Sequence, residues 1–178
     1  MEKFMEASVI NAVELMAISA KTAPKARGQD FVGIKIVTGQ ELERLADAMT
    51  EYGQQSGKKG FDRDGDSVRN STAVLLLSLE EAAAPAGLNC GACGKERCAD
   101  LEPREMAEFE GPLCAWRLLD LGVALGSAVK TASLFNLDNR IMYRIGAAAK
   151  KGGLMQGQII VGVPVAVTGK NIFFDRQK

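Results

Sequence analysis

The chain has 178 residues, an apolar share of 47%, and 22 basic against 22 acidic side chains. That balance argues against nucleic acid or an anionic membrane as partner, and no uninterrupted apolar run reaches the roughly 18 residues that a membrane span needs. Histidine is absent, which removes imidazole metal ligands, His general bases and the Ser–His and Cys–His nucleophile pairs.

A chain of this length is expected to form one domain, residues 1–178, with a core able to stand alone. The N-terminus carries Glu2, Glu6 and Glu14 and no basic leader, so it reads as mature structure in a cytoplasmic protein. A first helix is predicted from Ser8, as N-cap, to about Ala20, because Val9, Ala12, Val13, Met16 and Ala20 share one helical face. A basic loop, KTAPKARGQD, follows. FVGIKIV (31–37) alternates like a strand. Thr38 and Glu41 have capping-box spacing before a helix over ELERLADAMTEYGQQ. The polar stretch 58–70 reads as a loop. Within it, DRDGD misplaces the glycine of a calcium loop and reads as a charged turn. STAVLLLSLEE (71–81) has the continuous apolar run of a buried central strand.

Residues 88–114 hold all four cysteines, spaced C-x2-C-x4-C-x15-C: Cys90, Cys93, Cys98 and Cys114. Four thiolates are what a cubane iron–sulfur cluster takes, one per iron. Gly91 and Gly94 permit the positive φ of a tight loop, and Cys114 opens a predicted helix. Structural zinc, a disulfide and four unconnected thiols remain open beside this reading; zinc usually prefers two knuckles, and only the first pair here makes one. The acidic residues Asp100, Glu102, Glu105, Glu108 and Glu110 read as a solvated helix face or as a collar that docks a basic redox partner. Trp116 either shields the cluster or packs in the core.

A long helix is predicted over 114–135, with Gly122, Gly126, Ala128 and Ala132 allowing close packing. Asn136, Asp138, Asn139 and Arg140 read as caps and turn residues before a helix ending near Lys151. GQIIVGVPVAV (157–167) reads as a buried strand stopping at Pro164, and a C-terminal extension follows. The alternation gives an α/β (α+β) class: a central sheet covered by helices, with an inserted cysteine-rich loop.

The motif NCGACGKERC with its distant fourth cysteine resembles the four-cysteine iron–sulfur domain of the Rnf complex B subunit and of corrinoid iron–sulfur proteins. In common two-cluster ferredoxins a proline usually follows the last cysteine, whereas here Pro112 precedes Cys114, which sets the chain apart from them. Across most of its length, through AISAKTAPKARGQD, GLNCGACG, GPLCAWRLLDLGVALGSAVKTAS, DNRIMYRIG and VGVPVAVTGKNIFFDR, the chain is similar to uncharacterised prokaryotic ferredoxin domain-containing proteins. The second half is also similar to flavin-dependent nitroreductases, where a basic loop after the first helix grips the FMN phosphate. That likeness implies Ser19, Lys21, Thr22, Lys25 and Arg27, with Lys170 and Arg176, as FMN-binding residues and a homodimer with its site at the interface. The Arg-Arg-Ser of those enzymes is replaced here by Lys-Thr-Ala-Pro, and a plain basic turn is the competing reading.

The expectation is an iron–sulfur redox protein with one [4Fe–4S] cluster. It acts in electron transfer or within a small oxidoreductase, with FMN as a second candidate cofactor. Its partner is a redox protein or a small-molecule electron acceptor. The alternative is a non-catalytic interaction or sensor module with a structural zinc or cluster.

Overall fold

The computed structural model describes residues 3–174. At its centre is a four-stranded antiparallel sheet in the order β1–β2–β6–β5: Val32–Val37, Ala73–Leu79, Ile159–Ala166 and Asp138–Asn139. Val32 lies opposite Leu79 and Val37 opposite Val74; Leu79 in turn lies opposite Ile159. Every residue of β2 is buried, because this strand is covered on both faces. Its alternation sorts the side chains into two cores. Leu75 and Leu77 pack with Val13 and Met16 of α1 (Lys3–Thr22) and with Leu121 and Ala128 of α4 (Ala115–Leu134). Val74 and Leu76 pack with Leu45 and Met49 of α2 (Gly39–Ser56), Phe61 of α3 (Phe61–Arg69) and Ile145 of α5 (Tyr143–Lys151). Burying each Val, Leu, Ile, Met or Phe among them stabilises by about 1.5–3 kcal/mol relative to exposure. The fold is therefore a sheet between two helical layers. A separate hairpin, β3 (Arg104–Glu105) and β4 (Glu110–Gly111), lies in the long connection between β2 and α4.

Helix α5 approaches β6 more closely than side chains permit. A Cβ on Gly146 would sit 1.7 Å from the Ile160 carbonyl oxygen, and one on Gly162 would sit 2.2 Å from Cγ2 of Ile145.

Several local expectations are corrected. The first helix extends back to Lys3, and Ser8 is inside it, its hydroxyl donating to the Phe4 carbonyl rather than capping. Thr38 precedes α2 but makes no side-chain cap bond, and Glu41 pairs with Lys35 instead. The stretch expected as a loop contains α3: Phe61, Gly65 and Val68 recur at helical spacing and are buried, and tertiary burial outweighs polar composition. Its Asp64 is buried between Arg63 and Arg144, so DRDGD is helix and not a cation loop.

Strand β6 continues through Pro164 to Ala166. Gly162 exchanges backbone bonds with Met142 on the β5 side. Pro164, two residues on, turns its missing donor the same way, where β5 is only two residues long. In α4, Ala128 and Ala132 are in the core, but Gly122 and Gly126 face open space. Asn136 takes a left-handed φ of 52° just past α4 and ends it, as a turn residue does. Asp138 accepts from Asn171, and Arg140 donates to the Phe173 carbonyl, so this turn is fastened to the C-terminal segment. Among the described residues, no helix is long and apolar enough to cross a membrane.

Candidate functional site

Two loops meet at one end of the sheet. The basic loop after α1 feeds β1 at Val32, and the cysteine segment leaves β2 at Leu79; these two residues lie side by side. Cys90, Cys93, Cys98 and Cys114 all border one small cavity, which Leu88 and Trp116 help to close. All four thiols are free. Cys114 is the N-cap of α4, with extended dihedrals, and its carbonyl accepts the first helical bond from Leu118. It is buried with Ala86 and Leu101, and Cys93 packs against them. The other three cysteines come from the loop itself. Gly91 and Gly94 take φ of 74° and 79°, and the Gly94 amide closes the turn on the Gly91 carbonyl. These are left-handed values that a side chain at either position would strain.

Residues outside the ligand set address the sulfurs. The Asn89 amide donates to Sγ of Cys98 at 3.4 Å, while Asn89 Oδ1 accepts from the Cys98 amide at 2.8 Å. Trp116 Nε1 donates to Sγ of Cys90 at 3.3 Å. The Cys90 thiol is held below its ordinary pKa by the Ala92 amide first and by the Trp116 indole second, since N–H donors favour the thiolate.

Among the described residues, no three His, Cys, Asp or Glu side chains are arranged as ligands of a single metal ion. A tetrahedral zinc would need all its sulfurs about 2.3 Å from one point. A four-iron core takes one thiolate at each of four separate irons. Four thiols around one cavity, with N–H donors toward two of the sulfurs, have the chemistry of that donor set.

The residues expected to grip a phosphate are placed as follows. Lys21 pairs with Asp30 at 2.5 Å, and Lys25 reaches the same carboxylate at 3.7 Å while donating to the Ala20 and Lys21 carbonyls at the end of α1. Arg27 donates to the Ala86 carbonyl of the cysteine segment. Ser19 shares a hydrogen bond with Thr131, and Thr22 donates back to the Ile18 carbonyl. Lys170 follows β6 at the opposite end of the sheet, one strand length or roughly 20 Å away. Arg176 lies outside the described residues. Of these residues Arg27 touches the loop that leads into the cysteines, Lys21 and Lys25 share Asp30 on the same basic loop, and Lys170 lies elsewhere.

Arg117 fastens this region and is almost wholly buried. It donates to the carbonyls of Ala84 and Ala26, to Gln29 Oε1 and to Asp120 Oδ2, and its guanidinium covers the Phe31 ring at 4.8 Å. Asp120 Oδ1 accepts from the Ala26 amide at 2.7 Å. One turn of α4 therefore holds a cysteine, the Trp116 donor and a clamp on the basic loop. Asn89, Gln29 and Asp120 were not singled out from the sequence; the available signals were an asparagine that tolerates left-handed φ and an Arg-x2-Asp spacing on a helix.

The acidic residues after Cys98 form no solvated helix face. Glu105, Glu108 and Glu110 belong to the hairpin segment and pair with Lys151, Lys58 and Lys150, and Asp100 pairs with Arg97. The pairs made by Glu105, Glu108 and Glu110 fasten the hairpin to α5 and to the loop before α3.

An uncharacterised protein from Archaeoglobus fulgidus is 45% identical over 175 residues, covering 97% of this chain and 94% of its own length. The chain belongs to that protein's family. A family profile described as "Uncharacterized protein containing a ferredoxin domain (DUF2148)" matches residues 110–176, which include Cys114 and α4 but begin after Cys98. Among solved structures, the nitroreductase CinD from Lactococcus lactis in complex with nicotinic acid aligns with a TM-score of 0.59 at 11% identity, over 96% of this chain and 81% of CinD. A nitroreductase-like family protein from Bacillus cereus gives 0.58 at 14%, over 100% and 79%. The FMN-dependent nitroreductase NfnB from Mycobacterium smegmatis in complex with NADPH gives 0.58 at 11%, over 90% and 78%. The fold is nitroreductase-like.

Proposed function

We propose that this chain is a cytoplasmic iron–sulfur redox protein. Cys90, Cys93, Cys98 and Cys114 hold one [4Fe–4S] cluster, and the protein acts as an electron carrier or within a small oxidoreductase. The observation that carries this reading is that all four thiols border one cavity, with N–H groups aimed at two of them. The ferredoxin-domain description of the matching family profile supports the same chemistry. When bound, the cluster supplies one-electron transfer. The chain's own residues orient the ligands: Asn89 fixes Cys98, α4 presents Cys114, and Arg117 sets that helix against the loops.

FMN is the second cofactor of this reading. Lys21, Lys25 and Arg27 share one loop, and Arg27 touches the strand exit that leads to the cysteines, so a flavin phosphate taken on this loop would bring a two-electron cofactor toward a one-electron centre. The fold likeness to an FMN-dependent enzyme supports this. A second copy of the chain is the fitting partner for α1 and α4, which leave Leu15, Ile18, Leu119 and Val123 exposed. The electron acceptor is a redox protein or a small molecule.

Anaerobic preparation followed by assay for iron, sulfide, zinc and flavin is the test. The expected result is brown protein with about four irons and four sulfides per chain, and flavin absorbance retained through desalting after incubation with FMN. Colourless anaerobic protein with zinc and no sulfide would assign the cysteines to a structural metal and overturn the redox function. Loss of all flavin on desalting removes FMN alone.

A further inference from the structure

We infer that Trp116 is a positioning residue of the iron–sulfur site: its indole N–H, set on Sγ of Cys90, raises the reduction potential of the cluster. This rests on the cluster reading above. Trp116 is the chain's single tryptophan, and it is 40% exposed rather than packed in the core. Its place follows from helix geometry. Cys114 caps α4, and Trp116 is the second residue of that helix. The element that presents one ligand thus also presents a donor to another ligand 26 positions earlier in the chain.

Cys90 is the exposed member of the set and sits on the glycine turn. The donor to Cys98 is a backbone amide and belongs to the loop, whereas the indole is a side chain that a single substitution removes. Electrostatics give the sign. Reduction adds one electron to a core already made negative by four thiolates. An N–H donor on a ligand sulfur stabilises the more negative state more strongly, so it raises the potential.

The test uses the full chain, reconstituted anaerobically and assayed for iron and sulfide first, then titrated potentiometrically with dithionite while the reduced signal is followed by EPR. Trp116→Phe keeps the ring and loses the donor. Its midpoint is expected to shift to more negative potential with iron and sulfide content unchanged. Because there is one tryptophan, biosynthetic replacement by a ring-fluorinated tryptophan alters this residue alone. Its more acidic N–H is expected to shift the midpoint the other way. A cluster that assembles normally but has the same midpoint in all three proteins overturns the inference and leaves the function standing. If the Phe variant loses its cluster, the fluorinated chain still decides. A native chain without iron and sulfide overturns the function itself, and this inference with it.

Discussion

Arg117 is a charged side chain in a place where charge is costly. It is 1% exposed, and its guanidinium is answered by carbonyls from two loops, the Gln29 amide oxygen and the Asp120 carboxylate. A buried ion pair of this kind is stabilising only while both partners are present, because removing one leaves an uncompensated charge in low dielectric. Asp120→Ala is therefore expected to cost about 3–5 kcal/mol, read as a lower urea midpoint. Adding Arg117→Met should recover part of that loss, since the stranded charge is then gone. A single variant as stable as the native chain would show that the clamp is not closed in solution. Asn89 works at the same scale with smaller forces: a left-handed backbone and a reciprocal pair of hydrogen bonds fix Cys98 without any charge.

At the level of elements, contact between helix and sheet is decided by what is absent from glycine. Helix α5 rests on β6 through Gly146, where an added methyl would meet the Ile160 backbone at 1.7 Å. A carbonyl inside a strand cannot rotate away as a side-chain tip can. Gly146→Ala should thus cost at least about 3 kcal/mol, at the upper end of overpacking penalties, seen as loss of the cooperative thermal transition by circular dichroism. A melt within a degree or two of the native chain would mean that α5 has more freedom than this packing implies. Helix α3 is held by the same kind of local fit, with its Phe61 ring edge-on to Tyr52 at 5.1 Å and the buried Asp64 tied to Arg144 on α5.

For the molecule as a whole, the two helical layers are unlike on their outer sides. The α1–α4 layer exposes Leu119 and Val123 at 54% and 44%, along with Leu15 and Ile18. A stable interface needs about 800 Å² from each partner, with an apolar centre, and these exposed side chains are the apolar groups the proposed dimer would use. The native chain is expected to sediment as a dimer and Val123→Asp as a monomer with the same circular dichroism spectrum. A native chain that sediments as a monomer at high micromolar concentration removes the second copy from the proposal. The same layer carries Cys114 and Trp116 at its sheet end, so a dimer through it would bring two cysteine segments into one assembly.

Legible in the sequence were the buried face of α1, the extent of α4, the doubly buried strand β2, and the four cysteines with their two turn glycines. Each of these rests on short-range periodicity or on residue chemistry that does not depend on distant partners. The remaining features come from long-range contacts. Tertiary structure made a helix of 61–69, because Phe61, Gly65 and Val68 gain more from burial against α2 than their polar neighbours lose. It carried β6 through Pro164, because the missing donor points to a short edge strand. It placed Lys170 at the far end of the sheet from Lys25 and Arg27, because antiparallel register and not sequence composition fixes which loops are neighbours. Trp116 met Cys90 for the same reason: their contact spans 26 positions, and no local pattern encodes a distance across a fold.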